Sequence, residues 1–263
     1  MKLRRPTPGH WLPLALAPLL LLVWHFGVLA ISADRRLFMP GPAAVLQALI
    51  SHRNELGSAA LNTGLGALAG FLGAILVSLL CAGLLSLSRW VRIGLYPYLM
   101  MLQLTPIVVL APVLVIWVGA GFRSVALITF LICVFPLIVN TTQGLISVDR
   151  NLVDLFRLAR ASRWQELRRL RFPAALPYFF TGLRIAATLA PIGAVVGDFT
   201  AGDSASAGLG FLTIIYSANF RYPELFAAVV ANAALGFFFT GLVVLLSRLC
   251  LGSWHDSYQR QDN

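Results

Sequence analysis

The chain has 263 residues, 59% of them hydrophobic and only 11% charged, with a mean hydropathy of +0.82. A soluble domain of this length cannot cover its surface with so few charges, so the bilayer is the solvent that fits. The formal net charge of +10 does not point to nucleic acid, because Lys2 is the only lysine and no basic stripe is interleaved with aromatics.

No Asp, Glu, Lys or Arg occurs in 6–33, 56–88, 93–122, 124–148 or 225–247. A spanning helix needs roughly 20 predominantly apolar residues, and each run is long enough. The pattern predicts an all-α membrane protein of about six transmembrane helices: Trp11 to Ile31, Ala59 to Leu85, Tyr98 to Gly119, Ser124 to Gln143, Tyr178 to Val196 and Leu225 to Leu246. The first follows a basic start (Lys2, Arg4, Arg5), but its apolar stretch exceeds the roughly 7–15 residues of a signal-peptide core, so it reads as an anchor. Residues 40–56 follow as an amphipathic helix opened by Pro40 and Pro42, ending in His52, Arg53, Asn54 and Glu55 and lying along the outer surface. In the second span Gly66 and Gly70 form a G-x-x-x-G, a pattern of close helix contact. Prolines fall inside the third (Pro106, Pro112), fourth (Pro136) and fifth (Pro191) spans, where each removes a helical hydrogen bond.

Counting basic residues sets the orientation. With the N-terminus in the cytoplasm, the inside holds Lys2, Arg4, Arg5, Arg89, Arg92, Arg150, Arg157, Arg160, Arg163, Arg168, Arg169, Arg171, Arg248 and Arg260. The outside holds Arg35, Arg36, Arg53, Arg123 and Arg221, which places both termini inside. Three cysteines (Cys81, Cys133, Cys250) lie in or beside apolar runs without metal-ligand spacing and read as small hydrophobes. No metal or cofactor is expected.

Between the fourth and fifth spans lies one long loop, 145–177. Apolar positions Leu152, Leu155, Phe156 and Ala159 recur at helical spacing, and Asp154 can pair with Arg150 and Arg157. Ser162 and Gln165 form a capping-box pattern that opens a second short helix, with Trp164, Leu167 and Leu170 behind it and Pro173 and Pro177 closing the loop. Two readings compete on periodicity alone: an amphipathic loop resting on the anionic inner leaflet, or a helix that docks in a groove on a partner.

Here the chain resembles a known family. The inner-membrane subunits of ABC importers carry a signature E-A-A-x3-G-x9-I-x-L-P before their penultimate span. The matching register is Asp154, Leu155, Phe156, then Arg160, then Leu170, Arg171, Phe172, Pro173. The run "RASRWQELRRLRFPAALPYFFTGLRIA" looks like the branch that imports nitrate, sulfonates, taurine or pyrimidine-type vitamin precursors. "MPGPAAVLQAL", "FPLIVNTTQGL", "VVGDF" and "GLGFL" add matches in the right order, so the resemblance covers about 38–250. It implies one type I importer permease domain over 1–263 and a multi-pass place in the inner membrane. Its implied partners are a second copy of this chain, a cytoplasmic ATP-binding subunit and a periplasmic solute-binding protein. ATPase coupling then falls to Asp154, Leu155, Phe156, Arg160, Ala161, Ser162 and Arg163. Two positions depart from the signature: Asp154 replaces its Glu, one methylene shorter, and Arg160 replaces its Gly, at a turn where glycine adopts a positive φ without steric cost.

Other function classes have weaker support. A Walker A loop, G-x-x-x-x-G-K-[ST], is impossible around Lys2, so ATP hydrolysis belongs to a partner and no catalytic residue is assigned. An ion-coupled secondary carrier would show paired repeats and buried charges, and neither is evident. The four histidines (His10, His25, His52, His255) are scattered, with no H-E-x-x-H and no G-x-S-x-G. Polar residues inside the spans are the candidates for the translocation pathway: Gln103, Thr105, Asn140, Thr141 and Asp198. Asp198 lies near the outer end of its span, where being solvated or capping a loop are the alternatives to a substrate role. The "PIGAVVGDF" stretch looks closer to members that handle neutral nitrogen heterocycles than to those that handle nitrate or sulfonates.

Overall fold

The computed structural model describes residues 8–202 and 207–251, which form helices and their connections only. Lys2, Arg4, Arg5, His255 and Arg260 lie outside the described residues. In chain order the helices are α1 (Pro8–Ala30), α2 (Ala33–Arg36), α3 (Pro42–Ser51), α4 (Arg53–Leu87), α5 (Arg89–Leu104), α6 (Ile107–Val118), α7 (Phe122–Ile146), α8 (Arg150–Leu158) and α9 (Arg163–Glu166). A π-helical turn, Leu167–Arg171, leads into α10 (Phe172–Ala201), followed by α11 (Leu209–Ala218) and α12 (Tyr222–Leu251). Among the described residues four helical stretches are long and apolar enough to cross a membrane: α4, α7, α12 and the run from Arg163 to Ala201.

Helix α7 is the centre of the bundle, and glycine puts it there. A Cβ on Gly66 of α4 would stand 2.6 Å from Val125 Cγ1, and one on Gly70 would stand 2.6 Å from Thr129 Cβ. From the opposite side, a Cβ on Gly197 of α10 would stand 2.7 Å from Val125 Cα, and one on Gly193 would stand 2.9 Å from Thr129 Cα. Val125 and Thr129 are therefore pressed between two glycine pairs, each spaced four residues apart. Backbones approach this closely only where side chains are absent, and in lipid such packing replaces the hydrophobic drive. The Gly66–Gly70 pair does what its spacing predicts, and Gly193–Gly197 is its unanticipated counterpart. Leu137, Ala186, Ala190 and Phe239 extend the same core.

The outward faces stay apolar. Leu80, Ile116 and Phe237 are 70%, 80% and 80% exposed, tolerable only where lipid or another protein covers them.

Three expectations change. The third predicted span, Tyr98 to Gly119, is two helices: α5 stops at Leu104 and α6 starts after Pro106, whose ψ of 109° is extended. Proline withholds an amide and pushes the residue before it out of the helical region, so the chain breaks there. Pro136 and Pro191 interrupt nothing, and their helices run through. The fifth span is much longer than Tyr178 to Val196: α10 starts at Phe172 and the helical run behind it at Arg163, so Pro173 and Pro177, expected to close the loop, lie within the helix. The predicted amphipathic helix 40–56 ends at Ser51, and Arg53, Asn54 and Glu55 open α4 instead. Buried Val45 and Ala48 hold α3 against α12, in a cluster that also takes in Ala227 and Ala228 of α12 and Leu212 and Tyr216 of α11.

Candidate functional site

The loop after α7 is built from local capping chemistry. Asp149 caps α8 by accepting the Asn151 amide at 2.9 Å. At the other end of α8 the Ala161 amide donates to the Phe156 carbonyl at 3.0 Å, and the Arg160 amide to the Arg157 carbonyl at 2.9 Å. These two bonds are a Schellman closure, which needs a left-handed residue between them. That residue is Arg160, at φ 55°. The turn keeps the geometry a glycine would give it, at the steric cost of a side chain in the left-handed region, about 1–2 kcal/mol. Ser162 then accepts from the Gln165 amide at 3.2 Å while the Gln165 side chain accepts from the Ser162 amide at 2.8 Å, completing the predicted capping box of α9.

Few loop residues are buried. Only Val153 of α8 is, a residue the periodicity did not single out, whereas Leu152, Leu155 and Leu158 are exposed and Phe156 is half-buried. Asp154 is exposed and pairs with Arg157 at 3.2 Å. Arg160, Ser162 and Arg163 are exposed and Ala161 half-buried, so none of the seven candidate coupling residues is buried. An apolar helix face left bare on an otherwise arginine-rich loop is the surface a protein groove would cover.

A second pair ties the loop to the spans. Arg171 donates to Glu166 Oε1 at 2.7 Å and to the Leu145 carbonyl, at the end of α7, at 3.2 Å. Residues five apart share a face in a π-helix rather than an α-helix, so the pair depends on the widened turn. Sequence spacing gave no sign of it. Leu167 adds apolar contact with Ala82, Leu145 and Ala175.

The α5–α6 break opens a cavity of about 370 Å3 lined by Gln103, Thr105, Pro106, Phe135, Pro136 and Leu189 among others. Its lining includes no charged side chain. Gln103 and Thr105 meet here because proline ends α5, and the Thr105 hydroxyl donates to the Met101 carbonyl at 3.1 Å. The other pathway candidates are elsewhere. The Asn140 amide donates to the Pro136 carbonyl at 2.8 Å, with its Cβ against Gly182. Thr141 is buried on α7.

Asp198 lies at the end of the bundle remote from the loop, where the Gly121 amide of α7 meets the Ala201 carbonyl of α10 at 2.7 Å. It is 3% exposed. Its Oδ2 accepts from Thr63 Oγ1 of α4 at 2.7 Å and from the Gly210 amide at 3.3 Å, while Thr63 Oγ1 accepts from the Leu209 amide at 2.8 Å. Together they cap the N-terminus of α11, favourable to a carboxylate because the first helical amides have no partner of their own. The carboxylate packs so closely that a Cβ on Gly208 would collide with it. Asp198 thus takes the capping role, and α11, which the hydropathy reading did not separate, is the element it caps. Among the described residues no cluster of His, Cys, Asp or Glu could hold a metal ion.

An all-helical membrane bundle with a broken span, an uncharged, mostly apolar cavity and an exposed amphipathic loop helix fits a transport permease. Residues 74–260 match the family described as binding-protein-dependent transport system inner membrane component. The chain belongs to that family and is a multi-pass inner-membrane permease subunit of the ABC importer type, working with ATP-binding and solute-binding partners. The riboflavin transport system permease protein of Chloroflexus aurantiacus is 37% identical over 254 residues, covering 95% of this chain and 92% of that protein. The formylaminopyrimidine transport permease protein of Halalkalibacterium halodurans is 32% identical over 219 residues, covering 83% and 86%. A crystal structure of an amino acid ABC transporter shares the fold, with a TM-score of 0.61 at 17% identity, covering 77% of this chain and 97% of that one.

Proposed function

We propose that this permease passes a flat, neutral nitrogen heterocycle, of the riboflavin or pyrimidine-precursor type, from periplasm to cytoplasm through the cavity at the α5–α6 break. The observation that carries this reading is the chemistry of that cavity. A carboxamide (Gln103), a hydroxyl (Thr105) and an aromatic ring (Phe135) stand together with no charge among the lining residues. An oxyanion such as nitrate or a sulfonate needs a cation or several aimed donors. A planar heterocycle needs a ring to stack on and a few hydrogen bonds for its carbonyls and ring nitrogens. The names of the two relatives at 37% and 32% identity point the same way.

The transporter works as a homodimer of this chain with two ATPase subunits, and both termini and the 145–177 loop face the cytoplasm. The loop surface carrying Asp154, Leu155, Phe156, Arg160, Ala161, Ser162 and Arg163 receives the ATPase. The Arg171–Glu166 pair transmits its motion to α7 and α10. This chain hydrolyses nothing itself.

The test is uptake into proteoliposomes holding this chain with its ATPase and loaded binding protein. Riboflavin or formylaminopyrimidine should accumulate only with ATP inside, and nitrate should not. ATP-independent uptake driven by an ion gradient, or uptake of nitrate in preference to either heterocycle, would overturn the reading. Substituting Gln103→Leu should lower heterocycle uptake about tenfold, the order expected when one hydrogen bond of about 1.4 kcal/mol is lost.

A further inference from the structure

A cavity of about 430 Å3 that solute passage does not use opens between the last turn of α4 and the loop. Ser86 and Leu87 line it from α4, and Arg157, Arg163, Glu166 and Arg171 line it from the loop. The three guanidiniums are engaged to different degrees. Arg171 is half-buried and held by Glu166 and the Leu145 carbonyl. Arg157 pairs with Asp154, which lies outside the lining, and both are well exposed. Arg163 is exposed, and among the described residues its side chain has no hydrogen-bond or ion-pair partner. Even with Asp154 counted, positive charge is in excess here, so the cavity suits an anion.

Two further features say which kind of anion. Leu76, Leu80, Leu84 and Leu87 are all exposed, and their spacing puts them on one face of α4. That stripe ends at the cavity, because Leu87 is part of the lining. From Leu76 to Leu87 it runs about 16 Å along the helix, close to the roughly 15 Å depth of hydrocarbon in one leaflet. Trp90, at the start of α5, and Trp164, beside Arg163, are 83% and 67% exposed. Tryptophans on a membrane protein gather at the depth of the lipid headgroups. A soluble anion has no use for the stripe, whereas a lipid fits both parts.

We infer that this cavity binds an anionic phospholipid, its phosphate among Arg157, Arg163 and Arg171 and an acyl chain along the leucine stripe of α4. The planar fork of a guanidinium matches two phosphate oxygens at once, and Arg163 has its whole fork to offer. Basic hollows at the membrane face of a helix bundle take such headgroups for the same electrostatic reason. The bound lipid ties the end of α4 to the turn that carries Arg163. The site needs neither a transported solute nor an ATPase, so it stands or falls apart from the transport reading.

The experiment is native mass spectrometry of the full chain, purified and delipidated in mild detergent. The added probes are dioleoyl phosphatidylglycerol, its dihexanoyl analogue, dioleoyl phosphatidylcholine and inorganic phosphate. The chain should retain the dioleoyl phosphatidylglycerol in preference to the other three. Arg163→Gln should cut that retention about fivefold, the factor for one cation beside an anionic headgroup. Arg163→Lys, which keeps the charge, should recover most of the loss. Removing two charges outside the lining, with Arg168→Gln and Arg169→Gln together, should change retention little. Equal retention of phosphatidylglycerol and phosphatidylcholine overturns the site. So does an equal loss in the Arg168 and Arg169 variant, which marks diffuse attraction alone. Displacement of the lipid by inorganic phosphate, or equal retention of the dihexanoyl analogue, means a free-anion site and overturns the lipid.

Discussion

The two ends of this molecule are held by opposite means. At one end α8, the Arg160 turn and α9 are fixed by bonds between residues two to five apart: Asn151 to Asp149, Ala161 to Phe156, and the Ser162–Gln165 box. Most of these groups are exposed and none is buried. At the other end Asp198 joins Thr63, 135 residues away, and Asn62 donates to the Ala207 carbonyl 145 residues on. An element that docks a partner, the role proposed for this loop, needs a shape of its own before the partner arrives, and local caps supply one without burial. A junction of three helices needs the reverse, because each partner exists there only once the others have packed.

Substitutions can break this comparison. The largest effect is expected inside the bundle that joins the two ends, at Gly70→Leu. Its Cβ would stand 2.6 Å from Thr129 Cβ and 2.8 Å from the Phe130 nitrogen, backbone that cannot retreat. Overpacking of this kind costs about 3 kcal/mol or more, so the variant should fail to accumulate in the membrane on a quantitative immunoblot. Thr63→Val comes next. It takes a donor from the buried Asp198 carboxylate and leaves the Leu209 amide unpaired, for about 2–3 kcal/mol, read as a fall in Tm of the detergent-solubilised protein. A Tm unchanged by this variant would mean that the junction is not held by its polar centre.

At the loop the expected effects on stability are smaller and the effects on partner binding larger. Ser162→Ala removes a cap worth about 1 kcal/mol. It should leave the Tm of the bundle near wild type while weakening retention of the ATPase in a pull-down. Arg160→Gly relieves the left-handed strain, and the loop should resist limited proteolysis longer, by an amount matching about 1 kcal/mol. Weaker protection would show that the arginine side chain contributes more than its strain removes. Smallest for the fold is Asp154→Asn. Its pair with Arg157 is exposed, and such pairs contribute about 0.5 kcal/mol. An unchanged Tm together with loss of the co-purifying ATPase would separate docking from folding most cleanly.

The loop was largely legible in the sequence because its determinants are local. Ser162 and Gln165 three residues apart, and a signature ending in Pro173, need no knowledge of the rest of the chain. Gly66–Gly70 was legible for the same reason. The pathway candidates were only half legible. Gln103 and Thr105 do meet at a cavity, beside the Pro106 break. Asn140 and Asp198 are polar residues in apolar runs like the other two, yet one bonds its own helix and the other caps α11. Hydropathy marks a polar residue in a span and says nothing of what faces it.

What the sequence settled by itself was the solvent, the helical class, the loop with its caps and the family. All are written in composition and in spacings of a few residues, because charge content, helix periodicity and capping act over one or two turns. The tertiary structure decided that Val125 and Thr129 lie between two glycine pairs, that Arg171 reaches Glu166 across a widened turn and Leu145 beyond it, and that Thr63 meets Asp198. Those contacts join residues that only the packed bundle brings together, and burial then makes each unpaired polar group costly enough to hold its partner in place.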